Sequence, residues 1–303
     1  MNCARTETLI DRYPELEPLS PVYLNSGLFN DCYLFSDSVG GKVLRWRREG
    51  VAGRALEKVV SFEKEIHRFL LGQNIAVGCH EQSWVPADCL LLDYFRAEPL
   101  NYDCPRHMYL VGQLYGRLHA LRVEDLGKHV ESRDLSSYRE EIESYLSVVP
   151  VGALGSFLHD CLAESPKNLT FSSSRALVHG DGGFTNIFVA AEEARLLDWE
   201  WAELSYPQFD LAHFLSPLVV ARRPASSLSS DKLSQFWLGY HGRAEEPAWT
   251  PSVEEIKPFV ELRALAWLAH RYHSTGRLSQ VSRSRLCEDY WNELRSESLV
   301  VTR

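Results

Sequence analysis

The sequence predicts an α+β fold in which a strand-rich first part of the chain is followed by a mainly helical second part. Short apolar segments separated by turn residues occupy residues 1–95, and helical periodicity dominates after them. A polar strand–loop–strand segment around residue 181 interrupts the helices. Strands and helices that are segregated along the chain are typical of α+β proteins with two layers of different character.

The first part contains five predicted strands and one predicted helix. The strands are Pro21–Leu24, Cys32–Phe35, Lys42–Trp46, Gly78–Trp84 and Cys89–Phe95. Phe62, Ile66, Phe69 and Leu70 repeat at helical spacing, which predicts an amphipathic helix that ends near Gly72.

The second part is predicted to be mainly helical. The predicted helices are Met108–Leu121, Ser136–Leu146, Ala153–Leu162, Phe209–Val220, Lys232–Tyr240, Val253–His273 and Arg285–Arg295. The change of character near Phe95 to Pro99 predicts a boundary, with one lobe at residues 1–95 and a second at 96–303.

Composition limits the classes of function. The net charge of −9 argues against a nucleic-acid-binding surface, which would be basic. No apolar run reaches the length of a membrane span, and the N-terminal residues lack the pattern of a secretory signal. The seven cysteines are scattered and include no CxxC pair, which favours reduced thiols in a cytoplasmic protein.

The segment from Val178 to Leu211 carries the clearest chemical pattern. Asp181 is followed five residues later by Asn186, and Asp198 ends the next short strand. A strand–loop–strand of this size predicts that these three side chains meet at one end of a hairpin. Phosphoryl transfer from a magnesium nucleotide uses such a set, because one carboxylate orients the attacking hydroxyl while an amide oxygen and a second carboxylate hold the metal.

The order and spacing of these residues resemble the aminoglycoside phosphotransferase and choline kinase superfamily. The resemblance is carried by His179-Gly180-Asp181, Asn186, Asp198-Trp199-Glu200, Pro207 and Asp210-Leu211-Ala212. It implies a bilobal protein-kinase-like fold, with a small antiparallel sheet lobe and a larger helical lobe that contains the catalytic loop and the acceptor site. It also implies that Asp181 is catalytic and that Asn186 and Asp198 bind Mg²⁺. His179 and Asp210 are expected to brace the loop.

The resemblance extends to the first lobe with ATP as the expected cofactor. Arg45 matches the strand position at which the family places a basic residue on the nucleotide phosphates. Its expected partner is a helix carboxylate, and Glu63 fits the family spacing better than Glu65.

Two further segments match the family's nucleotide site. Ser26 and Gly27 lie in the turn that is expected to cover the phosphates, and backbone amides of such a turn bind phosphate. Asp93 and Phe95 match the hinge, where backbone groups would meet the adenine edge.

The predicted function is therefore an ATP-dependent O-phosphotransferase that acts on a hydroxyl of a small molecule. An aminoglycoside-type acceptor is favoured on family grounds, and a choline, ethanolamine or other metabolite kinase is the alternative. A nucleotide-binding pseudokinase is disfavoured because Asp181 and both metal positions are present. A metal hydrolase that uses His179, Asp181, Asp198 and His213 is a third hypothesis, with few carboxylates for two metal ions.

Two features leave the acceptor open. A polycation would suit the acidic residues of the last predicted helix, which are Glu288, Asp289, Glu293 and Glu297. A quaternary ammonium group would suit an aromatic cage. The candidates for that cage are Trp201, Trp237, Tyr240, Trp249, Trp267, Tyr272 and Trp291.

Overall fold

The computed structural model of the protein describes most of the chain. The described residues are 2–27, 29–35, 41–48, 50, 54–124, 126, 130–150, 153–183, 185–216 and 228–275. They form a small lobe, built on the first sheet and its helices, and a larger helical lobe. The exact boundary near Phe95 stays a prediction.

The small lobe is built on a five-stranded antiparallel sheet. Its strands are β1 (Val22–Ser26), β2 (Asn30–Phe35), β3 (Lys42–Arg47), β4 (Cys79–His80) and β5 (Cys89–Asp93). Their spatial order is β1-β2-β3-β5-β4. The predicted strand Gly78–Trp84 is wrong in length, because β4 ends at His80 and the chain then turns, with the Val85 amide bonded to the Gln82 carbonyl at 3.0 Å.

The prediction of a single helix in the first part is also wrong. The chain begins with helix α1 (Asn2–Arg12), which is followed by a 3₁₀ helix over Pro14–Leu19. Leu9 and Leu16 are fully buried against one face of the sheet, so tertiary packing stabilises a segment with too few apolar residues to show a period.

Helix α2 (Leu56–Phe69) lies between the sheet and the large lobe. Val60 packs with the sheet residues Leu90 and Leu92, whereas Ile66 belongs to the core of the large lobe. The same helix buries Glu63 completely. Helix α2 therefore presents a carboxylate at the junction between the two lobes.

The large lobe contains six described helices. They are α3 (Pro105–His119), α4 (Leu135–Leu146), α5 (Ala153–Glu164), α6 (Pro207–Leu215), α7 (Ser230–His241) and α8 (Val253–Thr275). The predicted helix Arg285–Arg295 and the end of the predicted helix Phe209–Val220 lie outside the described residues. Among the described helices, none is both long enough and apolar enough to cross a membrane.

Helices α3 and α7 approach each other unusually closely. A Cβ atom on Gly112 or Gly116 of α3 would overlap the α7 backbone at Phe236 and Tyr240. Glycine at these positions lets the two helices meet backbone to backbone. The contact fixes α3, which carries Tyr115 to the loop that contains Asp181 and His119 to Asp210.

Two small sheets in the large lobe carry the predicted hairpin. β6 (Glu98–Pro99), β8 (Ile187–Val189) and β9 (Ala194–Leu196) form one, and β7 (Ala176–Val178) with β10 (Glu203–Ser205) forms the other. Strands β8 and β9 are antiparallel, and the Leu197 amide donates to the Asn186 carbonyl at 2.9 Å. Asn186, just before β8, and Asp198, just after β9, therefore lie at the same end of the hairpin.

Candidate active site

Asp210 holds the backbone of the loop that contains Asp181. One carboxylate oxygen of Asp210 accepts from the His179 amide at 2.9 Å, and the other accepts from the Gly180 amide at 3.1 Å. Gly180 has a φ of 77°, and a Cβ atom at this position would overlap the Trp201 carbonyl. Glycine is required here because the backbone is left-handed and the space is filled.

Two histidines complete this brace. His119 Nε2 lies 3.2 Å from the carboxylate of Asp210, which is fully buried. Burial alone would raise the pKa of Asp210. The bond and charge of His119, together with the amide of His179, instead hold that pKa below its usual value. Burial also lowers the pKa of His179. The neutral His179 ring donates from Nε2 to the Leu197 carbonyl at 2.9 Å and accepts the Asp181 amide at Nδ1, at 3.3 Å. With both nitrogens used by backbone groups, His179 is not placed to bind a metal, which argues against the hydrolase hypothesis.

Tyr115 fixes the glycine pair that follows Asp181. Its hydroxyl donates to the Gly182 carbonyl at 2.7 Å, and a side chain at Gly182 would overlap that hydroxyl. No local pattern predicts this contact, because Tyr115 is one of several apolar positions along α3. The loop is thus held by side chains from α3 and α6 as well as by its own turn.

Asn186 and His213 contact the Asp181 carboxylate from two sides. Asn186 Nδ2 donates to the Asp181 carbonyl at 2.8 Å and to Oδ2 at 3.0 Å, while His213 Nε2 lies 3.3 Å from Oδ1. Both groups bonded to this end of the Asn186 amide are hydrogen-bond acceptors. The amide nitrogen, which donates, must therefore be the atom that faces Asp181. The Asn186 Oδ1 atom consequently faces the other way, as a magnesium ligand would need to.

Asp198 has a left-handed backbone and an arginine partner. Its φ is 69° and its ψ is 69°, a conformation that aspartate adopts more readily than most residues with a Cβ atom. Arg45 Nη1 donates to Asp198 Oδ1 at 2.9 Å, and the other terminal nitrogen of Arg45 bonds to Glu63. The Arg45–Glu63 pair predicted from the sequence is therefore formed, and the same guanidinium joins the small lobe to Asp198.

A second arginine extends this set of charges. Arg47 bonds to Glu200 and lies 3.5 Å from Glu63, and Glu63, Asp198 and Glu200 bring carboxylate oxygens within 4.8 Å of one another. We refer to Arg45, Arg47, Glu63, Asp198 and Glu200 as the junction cluster. Burial is the main cause that raises the pKa of Glu63 and that of Glu200, the latter to about 8, and the charge of Asp198 adds to both shifts.

The sequence prediction missed Arg47 and Glu200 as partners. The two are 153 positions apart, so no spacing rule connects them. One signal was available, because Arg45 and Arg47 are two residues apart on β3 and side chains at that spacing share a face. The side chain of Arg47 is only 1% exposed, so it belongs to the interior of the protein.

The predicted phosphate turn is held by bonds to its own lobe. The Gly27 amide donates to the Asn30 carbonyl at 2.7 Å, and Arg48 donates to the Gly27 carbonyl at 2.9 Å. Ser26 Oγ donates to Asp31. A role for Ser26 and Gly27 at the nucleotide stays a prediction.

The predicted hinge residues have two different environments. The Asp93 carboxylate contacts Lys42 at 2.5 Å and His80 at 2.7 Å; partial burial would raise its pKa, but these partners lower it. The Asp93 amide donates to the Gly78 carbonyl at 2.8 Å. Phe95 packs in an apolar cluster with Val77 and Leu197. Contacts of Asp93 and Phe95 with adenine stay predictions, and the apolar cluster beside Asp198 is the kind of surface a base would need.

A family profile and several solved structures resemble the chain. The profile described as "Phosphotransferase enzyme family" matches residues 22–249. A search of curated protein sequences finds no match. Among solved structures, the gentamicin–APH(2")-IIa complex has a TM-score of 0.65 at 14% identity, with 92% of this chain and 95% of that chain covered.

Two more structures have similar scores. Choline kinase LicA from Streptococcus pneumoniae has a TM-score of 0.62 at 16% identity, with 93% of this chain and 96% of that chain covered. Amicoumacin kinase hAmiN, in complex with AMP-PNP, Ca²⁺ and Ami, has a TM-score of 0.61 at 14% identity, with 93% and 91% covered. At these identities the structures show the fold alone, which confirms the predicted α+β kinase-like architecture. The profile match over most of the chain shows more: this protein belongs to the phosphotransferase enzyme family and is a phosphotransferase, which confirms the predicted family and enzyme class.

Proposed function

We propose that the protein transfers the γ-phosphate of ATP to a hydroxyl group of an aminoglycoside-type acceptor. The observation that carries this proposal is the common end of the β8–β9 hairpin, where Asn186 and Asp198 flank the loop of Asp181 and Arg45 approaches from the small lobe. The amicoumacin kinase complex contains the ATP analogue AMP-PNP, which supports ATP as the nucleotide.

In the proposed reaction the Asp181 carboxylate orients the acceptor hydroxyl and accepts its proton. The acceptor oxygen forms a bond to the γ-phosphorus while the bond to the bridging oxygen of ADP breaks. The Asp181 side chain is 47% exposed, so a substrate can reach it. Asn186 holds its Oδ2, and Asp210 and Tyr115 hold the loop beneath it.

Asn186 and Asp198 are the residues that would hold Mg²⁺. The outward Oδ1 of Asn186 and the carboxylate of Asp198, which is 28% exposed, are the hard oxygen ligands that this ion prefers. Once bound, magnesium would supply positive charge that offsets the negative charge developing on the phosphates during transfer. Arg45, anchored by Glu63, would meet the phosphates from the opposite lobe.

The aromatic residues favour an aminoglycoside-type acceptor over a quaternary ammonium compound. Tyr240 packs edge to face with Trp237 and with Trp249, at the core of the large lobe. Arg263 lies 5.9 Å from the ring centre of Trp201, and Arg271 lies 5.9 Å from that of Trp267. Within the described part of the chain, these rings already have internal partners. The acidic helix predicted over Arg285–Arg295 lies outside it.

A panel of hydroxylated acceptors, scored by ADP release, tests the proposal. Aminoglycosides, choline, ethanolamine, a sugar and homoserine should be compared with and without Mg²⁺. We expect acceptor-dependent ADP release with an aminoglycoside. Release with choline or ethanolamine alone would replace the proposed acceptor, and no release with any acceptor would refute the proposed activity.

Asp181→Asn tests the catalytic assignment directly. We expect kcat to fall by about 10²- to 10⁴-fold, the contribution that a positioned base commonly makes. The thermal shift produced by ATP and Mg²⁺ should remain. Asp160→Asn, at an exposed position of α5, is the control and should leave kcat unchanged. A near-normal kcat in Asp181→Asn would remove Asp181 from the mechanism.

The proposal also includes a cytoplasmic location and the nucleotide-binding roles predicted above. Those roles belong to Arg45, Glu63, Ser26, Gly27, Asp93 and Phe95. Five described cysteines are free thiols, which supports a reducing, cytoplasmic environment. We expect no nucleic-acid partner, because the chain has a net charge of −9.

A further inference from the structure

Helix α6 reaches the predicted catalytic loop with two side chains. Asp210 is bonded to the loop backbone at His179 and Gly180. His213 lies three residues later on the same helix and therefore on the same face. Its Nε2 atom lies 3.3 Å from Oδ1 of Asp181. One helix thus contacts both the backbone of the loop and the carboxylate that the loop presents.

The carboxylate of Asp181 needs a restraint on each oxygen to keep one orientation. Asn186 Nδ2 is 3.0 Å from Oδ2 and also bonds to the Asp181 carbonyl. The final torsion of an aspartate side chain is broad, so one contact alone leaves the carboxylate free to turn about its axis. The contact of His213 with Oδ1 removes that freedom.

The position of His213 suits such a restraint. Its side chain is 16% exposed, against 47% for Asp181, so the histidine forms the inner wall and the carboxylate faces solvent. A cavity of about 10 Å³ adjoins the histidine and is also lined by Glu203, Asp210 and Arg263. Each of these neighbouring groups bonds to a partner of its own. Asp210 accepts from the loop amides, Glu203 accepts from Tyr138 and Arg263 donates to Glu141.

We infer that His213 is a positioning residue for phosphoryl transfer. It restrains Asp181 Oδ1 so that the carboxylate meets the acceptor hydroxyl in one orientation, and it gains no proton in the reaction. The inference rests on the proposed function of Asp181.

Three variants test the inference. In His213→Ala we expect kcat to fall by about 10- to 100-fold, because a misplaced catalytic group costs up to about that factor. The KM for ATP and the thermal shift with ATP and Mg²⁺ should not change. His213→Gln should recover part of kcat, since its amide can still donate to Oδ1. His241→Ala is the control, at an exposed histidine that bonds to a backbone carbonyl at the end of α7.

A double variant separates positioning from a structural role. If His213 acts through Asp181, adding His213→Ala to Asp181→Asn should reduce kcat no further. Additive losses in the double variant would overturn the inference, as would a wild-type kcat in His213→Ala. Equal kcat losses in the Ala and Gln variants, together with a lowered melting temperature, would also overturn it and assign His213 to packing. Absence of acceptor-dependent ADP release in the wild-type protein is a different outcome, which refutes the proposed function and this inference with it.

Discussion

Two buried groups of charged side chains in this protein both combine arginines with carboxylates but differ in their ratio of negative to positive charges. The junction cluster has three carboxylates and two guanidinium groups, so it carries one excess negative charge when all are ionised. The second group, here named the large-lobe cluster, consists of Arg133, Glu141, Glu203 and Arg263, with equal numbers of each sign. Tyr138 donates to Glu203 and lies under both arginines of the large-lobe cluster.

The surroundings of each carboxylate, and not the charge balance alone, determine how it titrates. In the large-lobe cluster, burial would raise the pKa of Glu141, but Arg263 and Arg133 lower it to about 2, whereas burial raises the pKa of Glu203 against the same two arginines. In the junction cluster, burial and Asp198 raise the pKa of Glu200 to about 8 even though Arg47 opposes the shift. The comparison teaches that the large-lobe cluster is balanced in charge by its own members. The junction cluster has one carboxylate in excess, so a further cation would balance it, and its most exposed member is Asp198.

Removing one carboxylate from each cluster gives the largest expected contrast. Glu141→Gln should reduce the free energy of unfolding by about 3–5 kcal/mol, because two buried arginines lose a shared partner. Glu63→Gln should cost less, since Arg45 keeps Asp198 and Arg47 keeps Glu200. Denaturant unfolding measures both. Glu140→Gln, exposed on the same helix as Glu141, is the control.

For nucleotide binding we expect the reverse order, with the larger effect in Glu63→Gln and the smaller in Glu141→Gln. Glu63→Gln should raise the KM for ATP because Arg45 loses its anchor, whereas Glu141→Gln should leave that KM unchanged. If Glu63→Gln binds ATP normally and unfolds as readily as Glu141→Gln, the junction cluster is only structural and the contrast fails.

The effect of Mg²⁺ on thermal stability should also differ between the two clusters, and we expect a difference of intermediate size. A ligand at 100 times its dissociation constant stabilises a protein by about 2.7 kcal/mol. Titrating Mg²⁺ in the presence of ATP should give wild type and Glu203→Gln similar thermal shifts at saturation. Asp198→Asn should need more Mg²⁺ for the same shift and for half-maximal activity. An unchanged magnesium requirement in Asp198→Asn would contradict its assignment as a ligand.

The free energy of unfolding should depend on pH in two ranges, an alkaline one that involves Glu200 and an acidic one that involves Glu141. We expect this to be the smallest of the predicted effects. Glu200 has a raised pKa in the folded state, so its contribution is present near pH 4.5 and is lost as pH rises towards about 8. Glu141 has a lowered pKa, so its contribution is present above pH 4.5 and is lost as pH falls towards about 2.

Variants at Glu200 and Glu141 show which residue causes the pH dependence in each range. Glu200→Gln should flatten the unfolding free energy on the alkaline side, and Glu141→Gln should flatten it on the acidic side. Denaturant unfolding between pH 3 and 9 gives the measurement. Parallel profiles for Glu200→Gln and wild type would show that the pKa of Glu200 is the same in the folded and unfolded states, which contradicts the prediction.

The sequence predicted the parts of this arrangement that are local along the chain. Asp181, Asn186 and Asp198 fall within one hairpin, so their spacing and the family resemblance were sufficient to expect them together. The Arg45–Glu63 pair was also predictable, because a strand and the next helix are short-range neighbours with a known family spacing. The end of β4 at His80 was not, since a strand with only two paired residues has no period to detect.

The parts that were missed depend on contacts between distant segments. Arg47 with Glu200, Tyr115 with Gly182 and His119 with Asp210 join residues that are between 67 and 153 positions apart. Each reads locally as an ordinary helix or strand residue. Helix α1 was missed for the same reason, because only the buried sheet explains why Leu9 is covered.

The bond between the Leu197 amide and the Asn186 carbonyl has a consequence for lobe movement. It is a rung of the β8–β9 ladder, so the separation between Asn186 and Asp198 is fixed within the large lobe alone. Arg45 belongs to the sheet of the small lobe, so a rotation of that sheet would move Arg45 relative to Asp198. Opening of the cleft would therefore change which charge faces Asp198 without altering the gap that an ion must fit.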